Sequence, residues 1–307
     1  MFSRPGPLLI LAACLLLPGG GVQAADEANT APYSGTYTVY AAGDIAWCKN
    51  TTPALSGAAA TAAVVEMELA ANPRAAVLLL GDNVYQGGTA RAYADCYGPT
   101  WGRFKERTWP APGNHEYATP NASGYFGYFG RAAGRGYYSV RLGAWRVVSL
   151  DSNLKGEQQA AQLAWLEQEL LSSRERCTLA TWHHPLYSSG GHGSIAHMRA
   201  AWELLHRAGA EIVLSGHDHD YERFAPQDAN GRLDPQRGIR QFVVGTGGAY
   251  ATPFLWPLNN SEMRDNSRTG VLKLVLREDG YEWEFLEASF HGFAYGQEPD
   301  RGAGQCH

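Results

Sequence analysis

Lysine is nearly absent from this chain, cysteine is sparse, and no apolar run is long enough to cross a bilayer. Of its 25 basic residues 4 are lysine and 21 arginine, a skew that reads as coding bias and carries no functional weight. With 30 acidic residues the formal net charge is −5. Nucleic-acid affinity needs clustered lysine and arginine, so this balance argues against DNA or RNA as the main partner. Repeats, composition breaks and linker-like stretches are also missing. One domain is therefore expected in the 307 residues, although length alone would allow two. A hydrophobic fraction of 45% and an aromatic fraction of 11% are ample for a buried core.

Only the N-terminus carries a concentrated apolar run. Arg4 precedes Leu8 to Leu17, glycine and proline follow, and Val22-Gln23-Ala24 offers a small-residue cleavage site. Such a run, about ten residues, falls short of the roughly 20 that span a bilayer. Residues 1–24 thus read as a signal peptide, 25–35 as a flexible lead-in and 36–307 as the folded domain. The expected location is periplasmic or extracellular. Leu11-Ala12-Ala13-Cys14 leaves an alternative in which Cys14 is lipidated and anchors the protein. Export permits disulfides, and the four other cysteines allow three pairings. Cys48 lies beyond the C-terminal tip of its strand and Cys177 opens another. Those rims are roughly 15–20 Å apart, against roughly 6 Å between bridged Cα atoms. Cys48–Cys96 and Cys177–Cys306 are the favoured pairs, with buried free thiols as the alternative.

Short segments rich in valine, leucine and tyrosine predict strands over 36–42, 76–80, 136–142, 145–150, 178–182, 211–214, 241–244, 271–276 and 281–287. Helical spacing predicts helices over 55–71, stopped by Pro73, over 157–171, and over 194–207, ended by Gly209. The alternation argues for an α/β layered domain, and Asp279-Gly280 marks a hairpin that adds antiparallel pairing. The glycine-rich stretches 124–136 and 245–248 read as loops.

Five segments carry metal-binding side chains: Gly43-Asp44, Gly81-Asp82-Asn83-Val84-Tyr85, Gly113-Asn114-His115-Glu116, Trp182-His183-His184-Pro185 and Gly216-His217-Asp218-His219. Four of them end apolar runs read as strands. Open α/β sheets bind ligands beyond the carboxyl ends of their strands, so this order predicts convergence at one rim. Each residue alone has a plainer explanation: Asp44 and Asp82 as caps, Tyr85 as packing, Asn114 as a turn residue, His217 and His219 as a structural pair. Jointly, their oxygen and nitrogen donors suit iron, manganese and zinc. His217 and His219, two apart, face the same way in extended chain. His183 and His184 are adjacent, so His183 is expected to face the metals and His184 to pack beside it. His115 and His192 are candidates for handling substrate. His197, His206, His291 and His307 read as incidental.

Taken together, these motifs resemble the calcineurin-like metallophosphoesterase family. Many of its members place a histidine two residues after the first aspartate. Here that position is Ala46, and Tyr85 stands as the replacement ligand. With Tyr221-Glu222-Arg223 after His219, the set is similar to the purple acid phosphatase branch. The resemblance implies a four-layer α/β/β/α sandwich with two mixed central sheets and a binuclear metal centre. Asp44, Tyr85 and His219 would hold Fe(III), while Asn114, His183 and His217 would hold divalent iron, zinc or manganese, with Asp82 bridging. His115 and His192 would contact phosphate or protonate the leaving group. The implied activity is hydrolysis of small phosphomonoesters by attack of a metal-bound hydroxide, in a compact exported protein without the extra N-terminal β-sandwich of larger plant relatives. A phosphodiesterase or nucleotide hydrolase on the same core is the alternative, a choice set by loops 87–99, 124–136 and 252–268. A secreted binding protein with an idle metal site is a third reading, opposed by all seven ligand positions being filled.

Overall fold

The computed structural model describes residues 1–2, 35–49, 52–288 and 298–307. The expected signal peptide beyond its first two residues, the lead-in up to residue 34, Cys14 and His291 lie outside the described residues. Strands form where branched and aromatic residues cluster. They are β1 (Tyr37–Ala42), β2 (Ala76–Leu80), β3 (Thr108–Ala111), β4 (Tyr138–Leu142), β5 (Trp145–Ser149), β6 (Cys177–Thr181) and β7 (Ile212–Ser215). There follow β8 (Tyr221–Phe224), β9 (Arg240–Val244), β10 (Ser261–Asp265), β11 (Gly270–Leu276), β12 (Gly280–Glu287) and β13 (Arg301–Gln305). They make two mixed sheets, one of six strands in the order β13-β12-β11-β1-β2-β3 and one of seven in the order β10-β8-β9-β7-β6-β5-β4.

The central strands are buried on both faces, and their alternation sorts side chains between two cores. From β6, Cys177 and Leu179 join the core between the sheets, while Ala180 faces the other way. From β7, Ile212 and Leu214 point inward and Val213 outward. The outward set meets Leu166 of the helix Gly156–Ser172 and Trp202 and Leu205 of the helix Arg199–Arg207. On the other flank the helix Gly57–Ala71 lays Ala58, Ala62, Val65 and Leu69 against the first sheet. The result is the expected α/β/β/α layering. Among the described residues no helix is long and apolar enough to cross a membrane.

Four strands escape the sequence pattern, and three of them are sheet edges. β3, β10 and β13 close the sheets, and an edge strand pairs through its backbone without needing an apolar face. β3 even holds Pro110, which an edge position tolerates. The stretch 124–136 is not all loop, because Ser123–Phe129 is helical and buries Tyr125 and Phe129. Gly124 serves close packing there: an added Cβ would lie 1.9 Å from the Gly88 carbonyl. The helix read from residue 194 begins as an α-helix only at Arg199.

Cys48 is bridged to Cys96 and Cys177 to Cys306, with Cα separations of 5.8 and 5.6 Å. The second bridge fastens the residue after edge strand β13 to the start of β6. Replacing Cys177 and Cys306 together by serine should lower stability by about 2–4 kcal/mol. A thermal midpoint that drops in the variant, and in the wild type under reductant, is the expected result; an unmoved midpoint would show the clamp to be idle.

Candidate metal centre

Asp44 follows β1, Asp82 follows β2, Asn114 follows β3, His183 follows β6, and His217 and His219 follow β7. β1, β2 and β3 run parallel, as do β6 and β7, so the donors leave carboxyl tips in both sheets. Asp44, Asp82 and His217 adopt positive φ of 58°, 49° and 74°. A left-handed conformation costs a non-glycine residue on the order of 1–3 kcal/mol and persists only where surrounding contacts enforce it. Here the His217 amide donates to Asp44 Oδ2 at 2.8 Å, and the His115 amide donates to Asp82 Oδ1 at 2.8 Å. Gly113 permits that closure, since an added Cβ would lie 2.1 Å from Asp82 Oδ1.

The donor atoms fall into two sets. In one, Tyr85 Oη lies 2.7 Å from Asp44 Oδ1 and 3.0 Å from His219 Nε2. In the other, His183 Nε2 lies 3.1 Å from Asn114 Oδ1 and 3.2 Å from His217 Nδ1. Asp82 Oδ2 sits between them, 3.2 Å from Tyr85 Oη and 3.2 Å from His183 Nε2. Two imidazoles are oriented from behind. His183 Nδ1 donates to the Leu80 carbonyl at 2.8 Å and His219 Nδ1 donates to the Tyr250 carbonyl at 2.6 Å. A carbonyl only accepts, so each ring turns Nε2 toward the donor sets, the arrangement by which outer contacts orient a histidine ligand.

The charges are strongly coupled. Burial would raise the Asp82 carboxyl, but His183, then His115, hold it well below the carboxylate range. Burial would lower His183, but Asp82 and Asp44 push it up to about 9. Burial, with His183 nearby, drops His217 to about 4. Burial and the two aspartates Asp44 and Asp82 raise the Tyr85 phenol well above its ordinary value, so the protein by itself keeps it protonated. Two buried carboxylates, a phenol, an amide oxygen and three imidazoles at mutual contact distance fit cations of the hard and borderline first-row class. Asp44, Asp82 and His183 form one such three-residue cluster, and His183, His184 and His217 another.

His115 and His192 stand at the mouth, with side chains 33% and 42% exposed. His115 Nδ1 donates to the Gln86 carbonyl at 2.9 Å, and its Nε2 lies 3.8 Å from Asp82 Oδ2. The His192 ring is 4.6 Å from that of His217.

Two acids that sequence reasoning passed over hold these loops. Glu116 is fully buried and accepts from the amides of Asp82, Asn83 and Gly113 at 2.9, 3.0 and 2.7 Å, tying the β2 turn to the β3 turn. Asp218 accepts from the amides of His192 and Gly193 at 2.7 and 3.2 Å and from Ser188 Oγ at 2.5 Å. The hydrogen bond that the His192 ring donates to Asp218 is also the leading cause that raises His192. Their only sequence signal is position inside the motifs. His184 packs beside His217 and meets Ser152 Oγ at 2.8 Å. His197 is not incidental, since it donates to the Ser152 carbonyl at 2.5 Å and abuts His184. His206 and His307 lie elsewhere, near Asp234 and Glu211.

The chain is similar to several known proteins. Purple acid phosphatase 15 of Arabidopsis thaliana is 32% identical over 219 residues, 56% of this chain and 40% of the relative. Purple acid phosphatase 21 of the same plant is 32% identical over 57% of this chain and 47% of its own length. The chain thus spans about half the length of the curated relatives it matches. A purple acid phosphatase from yellow lupin (Lupinus luteus) seeds superposes with a TM-score of 0.67 at 21% identity, covering 89% of this chain and 54% of that one. GAP50, described as the anchor in the inner membrane complex of Plasmodium, superposes with a TM-score of 0.66 at 14% identity, covering 88% of each chain. The model of the calcineurin-like phosphoesterase family matches residues 37–221, more than half of the sequence, and the chain belongs to that family, its relatives from Arabidopsis thaliana being purple acid phosphatases.

Proposed function

We propose that this protein is an exported, metal-dependent phosphatase that hydrolyses small phosphomonoesters at a two-cation site. The observation that carries the reading is the position of Asp82 Oδ2, equidistant at 3.2 Å from Tyr85 Oη and His183 Nε2. One carboxylate oxygen thus touches both donor sets, so Asp82 would be placed to hold both cations. Family membership, which implies a dinuclear centre, supports it further. Asp44, Tyr85 and His219 would hold ferric iron, and Asn114, His183 and His217 a divalent iron, zinc or manganese ion. The phenol favours the higher charge on its side. Burial and two carboxylates oppose its ionisation, and a trivalent cation is the strongest available counterweight.

When bound, such a pair would polarise phosphate oxygens and supply an acidified water as the nucleophile. The protein's own part is positional. Strand tips and the Glu116 clamp fix the donors, so little reorganisation is left for the transition state. His115, with Nδ1 committed to the Gln86 carbonyl, keeps Nε2 for the proton of the leaving oxygen. General acid catalysis of this kind contributes roughly 10²–10⁴-fold. His192, braced by Asp218, would meet the phosphate from the other side of the mouth. Two disulfides support export, because such bonds persist in oxidising compartments.

Asp82→Asn should cut phosphate release from p-nitrophenyl phosphate by more than about a thousandfold, about 4 kcal/mol of transition-state stabilisation. Retention of wild-type turnover by that variant would remove the shared oxygen from the reaction. The ferric assignment is read optically: iron-loaded protein should show a visible tyrosinate-to-iron band that Tyr85→Phe abolishes. A colourless wild type fully active with zinc or manganese alone would contradict it.

A further inference from the structure

The carboxyl tips of β6 and β7 lead to the metal centre, and the opposite rim of the same two strands holds a second group of metal-ligating side chains. Cys177 opens β6, Glu211 directly precedes β7 and Cys306 directly follows β13. All three are buried, and one donor atom from each, two sulfurs and a carboxylate oxygen, lies within 4.8 Å of the others. Zinc bonds of 2.0–2.3 Å in a tetrahedron give donor-to-donor edges of roughly 3.3–3.8 Å, so the group is close to that size. His307 adds a fourth donor, its Nδ1 lying 3.7 Å from Glu211 Oε1. Cysteine, histidine and glutamate are all ligands that zinc takes.

Glu211 is the member that the disulfide does not account for. Its Oε2 accepts from the Thr178 amide at 2.6 Å and its Oε1 from the His307 amide at 3.3 Å. Burial pushes its carboxyl up to about 7. Among the described residues the only basic side chain within ion-pair reach of it is that of His307. A buried carboxylate is costly without opposing charge, and the neutral disulfide beside it supplies none. A dication held by the same two sulfurs would supply it. No step of the proposed hydrolysis uses this acid.

We propose that Cys177, Cys306 and Glu211, completed by His307, form a zinc site when the bridge between the two cysteines is reduced, so that a metal takes over the clamp between β6 and β13. The site belongs to the chain in reducing surroundings, where such a bridge does not persist. A dithiol reductant supplies the step: it passes two electrons and two protons to the bridge, becoming a disulfide while Cys177 and Cys306 become thiols. Zinc then displaces one proton from each thiol and binds both thiolates. Rotation about the Cα–Cβ bonds parts the sulfurs while the Cα atoms, 5.6 Å apart, stay fixed by strands paired into separate sheets. The site lies at the other end of β6 from His183 and is independent of the phosphatase reading.

The test uses the full chain, reduced with a phosphine and titrated with cobalt as a coloured substitute for zinc. Thiolate-to-cobalt charge transfer gives a near-ultraviolet band that the catalytic donors, having no thiolate, cannot produce. Reduced wild type and a Cys48→Ser, Cys96→Ser variant should develop the band, whereas oxidised wild type and a Cys177→Ser, Cys306→Ser variant should not. Zinc should bleach it. Glu211→Gln should weaken cobalt binding at this site about ten- to a hundredfold, the scale on which contacts around a metal act. Thermal melts followed by circular dichroism give a second readout. Zinc should raise the midpoint of reduced wild type further than that of reduced Cys177→Ser, Cys306→Ser protein, because only the former gains this ligand. A band of undiminished strength in the Cys177→Ser, Cys306→Ser variant places the thiolates elsewhere and overturns the proposal. Reduced, folded wild type without a band overturns it, as do equal midpoint gains in the two proteins or unchanged cobalt affinity in Glu211→Gln. A chain that unfolds on reduction and is not refolded by zinc overturns it too.

Discussion

Asp44 and Asp82 are almost wholly removed from water at the tips of neighbouring strands, and burying carboxylates is costly unless opposing charge lies close by. Within the protein that charge comes from shared protons: His183 is pushed toward the imidazolium, while His217 and Tyr85 are pushed toward their neutral forms. Cations placed among the same atoms would satisfy the aspartates and free the imidazole Nε2 atoms at once. The surrounding architecture follows from this constraint. Three residues are held at positive φ, Glu116 gathers three amides, and two backbone carbonyls orient His183 and His219.

The sandwich itself does not determine what the site does. Superposition on a lupin purple acid phosphatase and on a Plasmodium protein described as an anchor gives nearly the same TM-score, 0.67 and 0.66. A fold hosts a function only through the residues placed on it. In this chain the donors stand on five different strand tips from both sheets, so convergence requires the sheets to be packed face to face. That packing is built by the inward sides of β6 and β7, with Leu179, Ile212 and Leu214 in the shared core.

Much of this was legible in the sequence, for a physical reason. A strand buried on both faces must be a short apolar run, and the residue just past its end is the first free to be polar. Asp44, Asp82, His183 and His217 announce themselves in that way. Edge strands carry no such signal: Ser261–Asp265 and Arg301–Gln305 read as polar or glycine-rich because pairing by backbone alone tolerates both. Glu116 and Asp218 were hidden because their work is done on amides contributed by other segments. Gly124 misled in the opposite sense, its glycine serving a close helix contact rather than a loop.

The proposed two-cation site rests on Asp82 Oδ2 lying within contact of both donor sets. Elemental analysis of the purified protein, combined with calorimetric titration of its metal-free form, tests that most directly. Two ions per chain are expected, with the affinity for the second changed by occupancy of the first. A single ion per chain, or two that bind with no influence on each other, would contradict it.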